Sequence, residues 1–393
     1  MRLTRRPLLT PFVLLFLLNF FSWMAINATS LIPPYIAGLG ASPAYVGLFN
    51  NFGNLAVVLA VVIFGRSLVK WPRVQLIRLS MLVLTATSVV SWVASGSLEV
   101  LSLLRIVGSV GQVFASTLLV SVLLDVSPPE KLASRIAIFS VAGMLTNPFT
   151  SFLGELLTKL WGAPSLFAAA GLFAAVTAVL AWGLREPTRQ EMVVEPHAFH
   201  TVVRRPDMRL LLVLAFVFGV YYNALVTFLP SYTQTKLGDA NLSAFLTPFS
   251  IISVVIRLLV GSHLDKRPPR GFLLVAFFAV LLSLGALALP VAWGWIILAG
   301  LLYGAGHSIL YPLMNSLFVV KGGFHQKAVY SNAYMVANLL GAVTMTPLLG
   351  AIKQKAGFEG MVVALALLAV LSLVLIAVTG DTHSVGKRPE KIR

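Results

Sequence analysis

Apolar residues run through this chain in long unbroken stretches, and polar residues collect in short clusters between them. A bilayer core about 30 Å thick is crossed by about 20 apolar residues in helical form. Apolar runs bounded by Pro, Gly and charge predict twelve spanning helices, over 11–36, 44–65, 74–94, 98–124, 134–158, 164–184, 208–230, 241–261, 271–290, 293–320, 329–352 and 358–379. The first run is too long for a cleaved signal peptide, and no small-residue cleavage site follows it. The pattern predicts an all-α membrane protein.

Charge then orients the spans. With the N-terminus placed in the cytoplasm, only Lys159, Lys236, Lys353 and Lys355 of the 29 Lys and Arg residues fall outside, while Arg105 and Arg257 lie within spans. Positive charge resists translocation, so both termini are expected to be cytoplasmic. This distribution also decides the meaning of the net charge of +16. In a soluble chain it would point to nucleic acid; here the basic residues sit in short runs between spans, and no nucleic-acid partner is expected.

Composition agrees: 58% of residues are hydrophobic and 11% charged, with a mean hydropathy of +0.91. The absence of cysteine excludes disulfides, zinc-thiolate sites, iron–sulfur clusters and thiol catalysis. No Walker loop, nucleophile elbow or HExxH helix is present, so neither an ATP motor nor an enzyme is expected. His197 and His200 lack further ligands for a metal site, and no cofactor is expected.

The chain repeats at an offset of about 196 residues. Asn27 matches Asn223, Pro34 matches Pro230, Gly65 matches Gly261, Pro72 matches Pro268, Gly108 matches Gly304, Lys131 matches Lys327 and Gly154 matches Gly350. Two pseudo-symmetric six-helix bundles are therefore expected, over 1–184 and 208–393, joined by a cytoplasmic linker at 185–207. Paired bundles of this kind suit a transporter that rocks about a central site. A duplicated scaffold or sensor without transport is the alternative from a different class.

Several motifs resemble the major facilitator superfamily over essentially the whole chain. That family's loop between helices 2 and 3 reads G-x-x-x-D-[R/K]-x-G-[R/K]-[R/K]. Gly65 to Arg73 follows it with Val69 in place of the Asp and Pro72 in place of the second Gly. Gly261 to Arg270 follows it with Asp265 kept, and Arg257 fits the preceding helix. The resemblance implies a gate built on Gly65, Lys70, Arg73, Arg257, Gly261, Asp265 and Lys266, which in the family pairs charges across the cytoplasmic face. Val69 cannot take that role. Arg105 with Gly108 and Gly111 resembles the family's helix-4 signature. Gly143 and Pro148 fit the antiporter signature of helix 5, whereas Asn147, Ser151 and Phe152 depart from it. Gly304 to Pro312 looks like bacterial efflux permeases of the sugar and drug exporter type.

Polar side chains within spans are costly and normally face a partner helix or a wet cavity. Arg105 lies seven residues into helix 4, about 10 Å from its start. Glu155 is its expected partner, with Glu99 the second choice and an anionic ligand the alternative. Gln112 shares its face. Helix 10 carries Tyr303, His307 and Tyr311 at i, i+4 and i+8, and helix 11 carries Tyr330, Tyr334 and Asn338 at the same spacing. In the resembled family helices 1, 4, 7 and 10 line the cavity, which adds Asn19, Asn27, Tyr222 and Asn223 as substrate candidates. Asn50, Asn51 and Asn54 on helix 2 read better as ties to a neighbouring helix than as cavity groups. A neutral imidazole gains a proton near physiological pH, so His307, with Glu155, is the candidate coupling group.

Together these readings predict a secondary transporter of a small organic solute, working by alternating access and exporting against protons. A uniporter, or an importer of an anionic solute, is the alternative. The first helix lacks the acid that many proton-coupled drug exporters of the family carry. A monomer in a bacterial inner membrane is expected.

Overall fold

The computed structural model describes residues 10–64, 72–127, 132–186, 202–264, 268–322 and 327–379. They are overwhelmingly helical, with no strand among them. The helices overlap every predicted segment. Seven helical stretches among the described residues are long and apolar enough to cross a membrane. The chain divides into two compact units, one of residues 1–41 and 52–192, the other of 42–51 and 193–393.

The first unit contains α1 (Pro11–Asn27), α2 (Ile32–Gly38), most of α3 (Pro43–Phe64), α4 (Arg73–Val93), α5 (Leu98–Val126), α6 (Leu132–Trp161) and α7 (Ser165–Ala181). The first predicted span is broken between α1 and α2. Pro33 and Pro34 have no N–H to donate to the preceding turn, so the helix must restart there. The Thr10 hydroxyl accepts from the Val13 N–H at 3.4 Å, and Pro11 supplies the preset φ of a first helical position. Leu15, Leu18, Ile77, Leu119, Val122 and Leu123 form a fully buried core where α1, α4 and α5 meet. Helix α4 approaches α5 closely: a Cβ on Gly111 would lie 2.8 Å from the Ser80 carbonyl. Small residues at such crossings let helix backbones approach closely in lipid.

Arginines tie one end of this unit together. Arg73 is 5% exposed and pairs with Asp125 of α5 and, at 3.3 Å, with Glu186 beyond α7. The Glu186 carboxylate also accepts the backbone N–H groups of Arg73 and Val74 at 3.2 and 2.8 Å, satisfying free donors at the N-terminus of α4. Arg78 donates to the carbonyls of Ala181 and Leu184, both at 3.0 Å, satisfying acceptors at the C-terminus of α7. Arg73→Ala would leave Asp125 buried and uncompensated. It is expected to destabilise the unit by about 3 kcal/mol, read as a lower unfolding midpoint. An Arg73→Ala, Asp125→Asn double variant should recover part of the loss.

The second unit contains α8 (Arg209–Leu237), α9 (Ser243–Leu264), α10 (Pro269–Ala288), α11 (Trp293–Gly322) and α12 (Lys327–Val378), together with the first residues of α3. Helix α8 closes on Gly238 at φ 77°, whose N–H reaches the Gln234 carbonyl at 3.1 Å. Helix α12 covers the last two predicted spans, which are separated by one non-helical residue, Gly357, at φ 73°. Its longest partnership is with α8. There Gly219 faces the Asn338 carbonyl and Gly341 faces the Phe216 carbonyl, with no room for a Cβ at either. At the start of α3, Asn50 donates to the Thr227 hydroxyl of α8 at 2.5 Å.

The chain entering this unit is also pinned. Arg205 donates to Asp207 at 2.7 Å, to the Tyr330 hydroxyl at 2.8 Å and to the Lys321 carbonyl at 3.2 Å. Lys321 returns a bond to the Asp207 carbonyl at 2.9 Å.

Candidate functional site

Among the described residues, the buried polar atoms without partners include one on Arg105 in the first unit and a group around His307 in the second. In the first unit the centre is Arg105 on α5. Its Nη1 donates to the Thr29 hydroxyl at 2.7 Å, in the break between α1 and α2, and its Nε has no partner. The expected pairing with Glu155 is not formed. Glu155 is buried on α6, and no carboxylate among the described residues pairs with Arg105. Thr29 lies in the break between α1 and α2, where its hydroxyl also donates to the Ile26 carbonyl at 3.2 Å. Glu99, the second choice, instead accepts from the Ser97 hydroxyl at 2.9 Å in the first turn of α5.

The other predicted groups of this unit divide by partner. Asn19 is buried and donates to the Phe139 carbonyl at 2.8 Å, which ties α1 to α6. Asn27 donates to Thr146 at 2.8 Å and to Asn147 at 3.0 Å on α6. Asn147 is one of the positions at which the antiporter signature departs, so the departure supplies a polar partner for α1. Gln112 is half-buried on α5.

In the second unit the centre is His307 on α11, packed inside an aromatic cage. Its ring centroid lies 5.0 Å from Phe218 and 6.0 Å from Tyr222, both on α8. Phe249 of α9 meets it edge-on at 5.1 Å. Along α11, Tyr303 and Tyr311 lie at 5.8 and 6.2 Å, the latter stacked within 13°. Tyr334 of α12 closes the group edge-on to Tyr311 at 5.8 Å. The Tyr303 and Tyr334 hydroxyls, His307 Nδ1 and Asn315 Oδ1 are buried without hydrogen-bond partners. Asn315 extends the stripe by one more turn, at four residues from Tyr311. Neither it nor the Phe218 and Phe249 walls appears in the sequence reading, although i+4 spacing on α11 marks Asn315.

Asn223 donates to the Gly219 carbonyl of its own helix at 3.0 Å. Asn338 donates to the Ala215 carbonyl of α8 at 3.5 Å, so it joins two helices. Of the predicted gate, Arg73 is held by Asp125 and Glu186, and Arg257 lies with its guanidinium 5.9 Å from the Tyr311 ring centroid. Gly261 falls in the last turn of α9. Gly65, Lys70, Asp265 and Lys266 lie outside the described residues.

The profile of the Major Facilitator Superfamily matches residues 12–345, most of the chain. The chain belongs to the major facilitator superfamily. Solved transporters with the same fold agree. The nucleoside transporter NupG, in a point-mutant form, superposes with a TM-score of 0.82 at 12% identity, over 95% of this chain and 100% of its own. A bacterial homologue of the human lysosomal transporter Spinster, inward-facing and occupied, gives 0.75 at 16% identity, over 96% and 98%. A D-xylose-proton symporter gives 0.72 at 15%, over 93% and 95%. No curated protein matches the chain by sequence. At these identities the likeness establishes the fold of a multi-pass membrane transporter. The major facilitator chain thus presents one unpartnered arginine nitrogen on α5 and a cluster of unpartnered polar groups around α11.

Proposed function

We propose that this major facilitator protein is a secondary transporter that moves a small organic solute by alternating access, outward and in exchange for protons. One observation carries the reading. Arg105 Nε, Tyr303 Oη, His307 Nδ1 and Tyr334 Oη are buried in apolar helices with no partner. An orphaned polar group in hydrocarbon costs several kcal/mol, and the gathering of such groups around His307 favours a visitor that pairs with them. The alternative of a scaffold requires such groups to pack dry against each other. Structural neighbours whose names specify nucleosides and D-xylose support a small organic cargo. The partial antiporter signature at Gly143 and Pro148 supports export. In this reading the predicted gate around Asp265 controls exchange between the two open states.

A second reading within the class rests on the cations. Arg105 and Arg257 both lie in apolar helices without a carboxylate partner among the described residues. That favours an anionic solute, carried in either direction.

The test is reconstitution in liposomes under an imposed pH gradient, with a panel of polyols, amines and organic acids, reading internal pH and solute together. Solute-dependent proton flux supports exchange. Solute movement without proton flux removes the proton and leaves a uniporter. His307→Gln is expected to flatten the pH dependence of transport. An unchanged profile removes His307 from the coupling scheme and leaves Glu155 as its candidate.

A further inference from the structure

Arg257, Tyr311 and the unpaired ends of Tyr334 and His307 form one corner of the second unit. Arg257 projects from α9, and its guanidinium carbon lies 5.9 Å from the centroid of the Tyr311 ring. That ring keeps 41% of its surface accessible, in contrast to Tyr303 and Tyr334, which are buried. It also stacks with His307, ring centroids 6.2 Å apart. The Arg257 Nε–H has no acceptor, and no carboxylate among the described residues pairs with the guanidinium.

We propose that this corner binds the carboxylate end of a flat aromatic or heteroaromatic solute, with the anion on Arg257 and the ring against Tyr311. The assignment rests on the reading of the α11 stripe as a solute site, and it names the solute's class. Three arguments converge on it. A guanidinium with a free Nε edge presents two parallel N–H donors, the geometry that a carboxylate accepts in bidentate fashion. An unpaired cation in an apolar helix is expensive, and an incoming anion removes that cost. The surrounding surface is aromatic, and flat rings gain edge-to-face and stacked contacts that a saturated ring does not. The remaining free groups are two phenol hydroxyls, one imidazole nitrogen and one amide oxygen. They are too few for the dense hydrogen bonding of a sugar, and sufficient to orient a ring heteroatom.

The test uses the full-length protein in nanodiscs and three probes of matched size, 2-naphthoate, 2-naphthamide and decahydro-2-naphthoate, titrated calorimetrically. The amide keeps the ring and removes the charge; the saturated acid keeps the charge and removes the flat ring. Binding of 2-naphthoate at least about tenfold tighter than either control is expected. Arg257→Gln should abolish the preference for acid over amide, and Arg257→Lys should restore part of it. Tyr311→Leu should abolish the preference for flat over saturated acid and keep the preference for charge. Each variant is first checked for wild-type elution and thermal midpoint; the lysine and leucine variants carry the test if the glutamine variant fails to fold. Equal binding of acid and amide, no binding of any probe, or an Arg257 series indistinguishable from wild type overturns the assignment. The liposome panel separates this from the transport reading. Movement of a neutral solute that 2-naphthoate does not inhibit overturns the aromatic-anion class and leaves transport standing. Tight, Arg257-dependent binding of 2-naphthoate with no transport of any solute does the reverse.

Discussion

Arg105→Ala is expected to lower transport by at least about 30-fold while leaving the protein folded and as stable as wild type, or slightly more so. The two halves of that result come from one fact. Arg105 makes a single hydrogen bond, to Thr29, and has no carboxylate partner among the described residues. A cation taken out of water without compensation is a net cost to the fold, so its removal relieves the fold. The loss of a desolvated charged contact to a ligand costs about 2 kcal/mol or more, which sets the floor of about 30-fold. Arg105→Lys keeps the charge and loses the planar fork, so an intermediate rate is expected. Initial rates in liposomes, measured beside thermal midpoints, check both halves. Transport at the wild-type rate would reduce Arg105 to a tie between α5 and the α1–α2 break. A parallel fall in rate and stability would do the same.

Gly341→Leu is expected to have the largest effect on folding of any single substitution considered. Gly341 and Gly219 each press against a carbonyl of the opposing helix, and the two contacts lie one turn apart on α8 and α12. Any Cβ there pushes the helices apart along their longest seam. Overpacking of this kind costs about 3 kcal/mol, and a leucine adds more. Loss of monodisperse protein after extraction is the expected readout. Gly285→Leu on α10 is the control, because nothing lies within 4 Å of the added Cβ. That substitution is expected to be neutral or mildly stabilising, by about the 1 kcal/mol that separates glycine from good helix formers. Equal damage from both would mean that the α8–α12 seam has no special role.

The architecture was legible in the sequence because hydrocarbon imposes one-dimensional rules. A span needs about 20 apolar residues in succession, and polar residues are confined to the breaks between spans. The stripe of Tyr303, His307 and Tyr311 was legible for a related reason, since i+4 spacing puts residues on one helix face whatever packs against it. Partners from other helices were not legible. Thr29, from the break between α1 and α2, sits beside Arg105, and nothing in the spacing of the sequence marks that meeting. Asp125 and Glu186 were read neither as partners of Arg73 nor as a cap for α4. Carboxylates far apart in sequence carry no sign of which helix end they will meet. Phe218 and Phe249 carry no mark in the sequence, and only packing shows that they wall in His307.

Glu186 and Arg205 stand at the two ends of the stretch between the units, and each is fastened within its own unit, the first to Arg73 and the start of α4, the second to Asp207, Tyr330 and Lys321. The peptide bonds between them are therefore dispensable for holding either end in place. A protease nick in this stretch, or a gene divided there into two separately translated pieces, would release two fragments whose new termini emerge from anchors already closed. Such a divided gene offers a way to label one half of the transporter isotopically or chemically while the other stays silent.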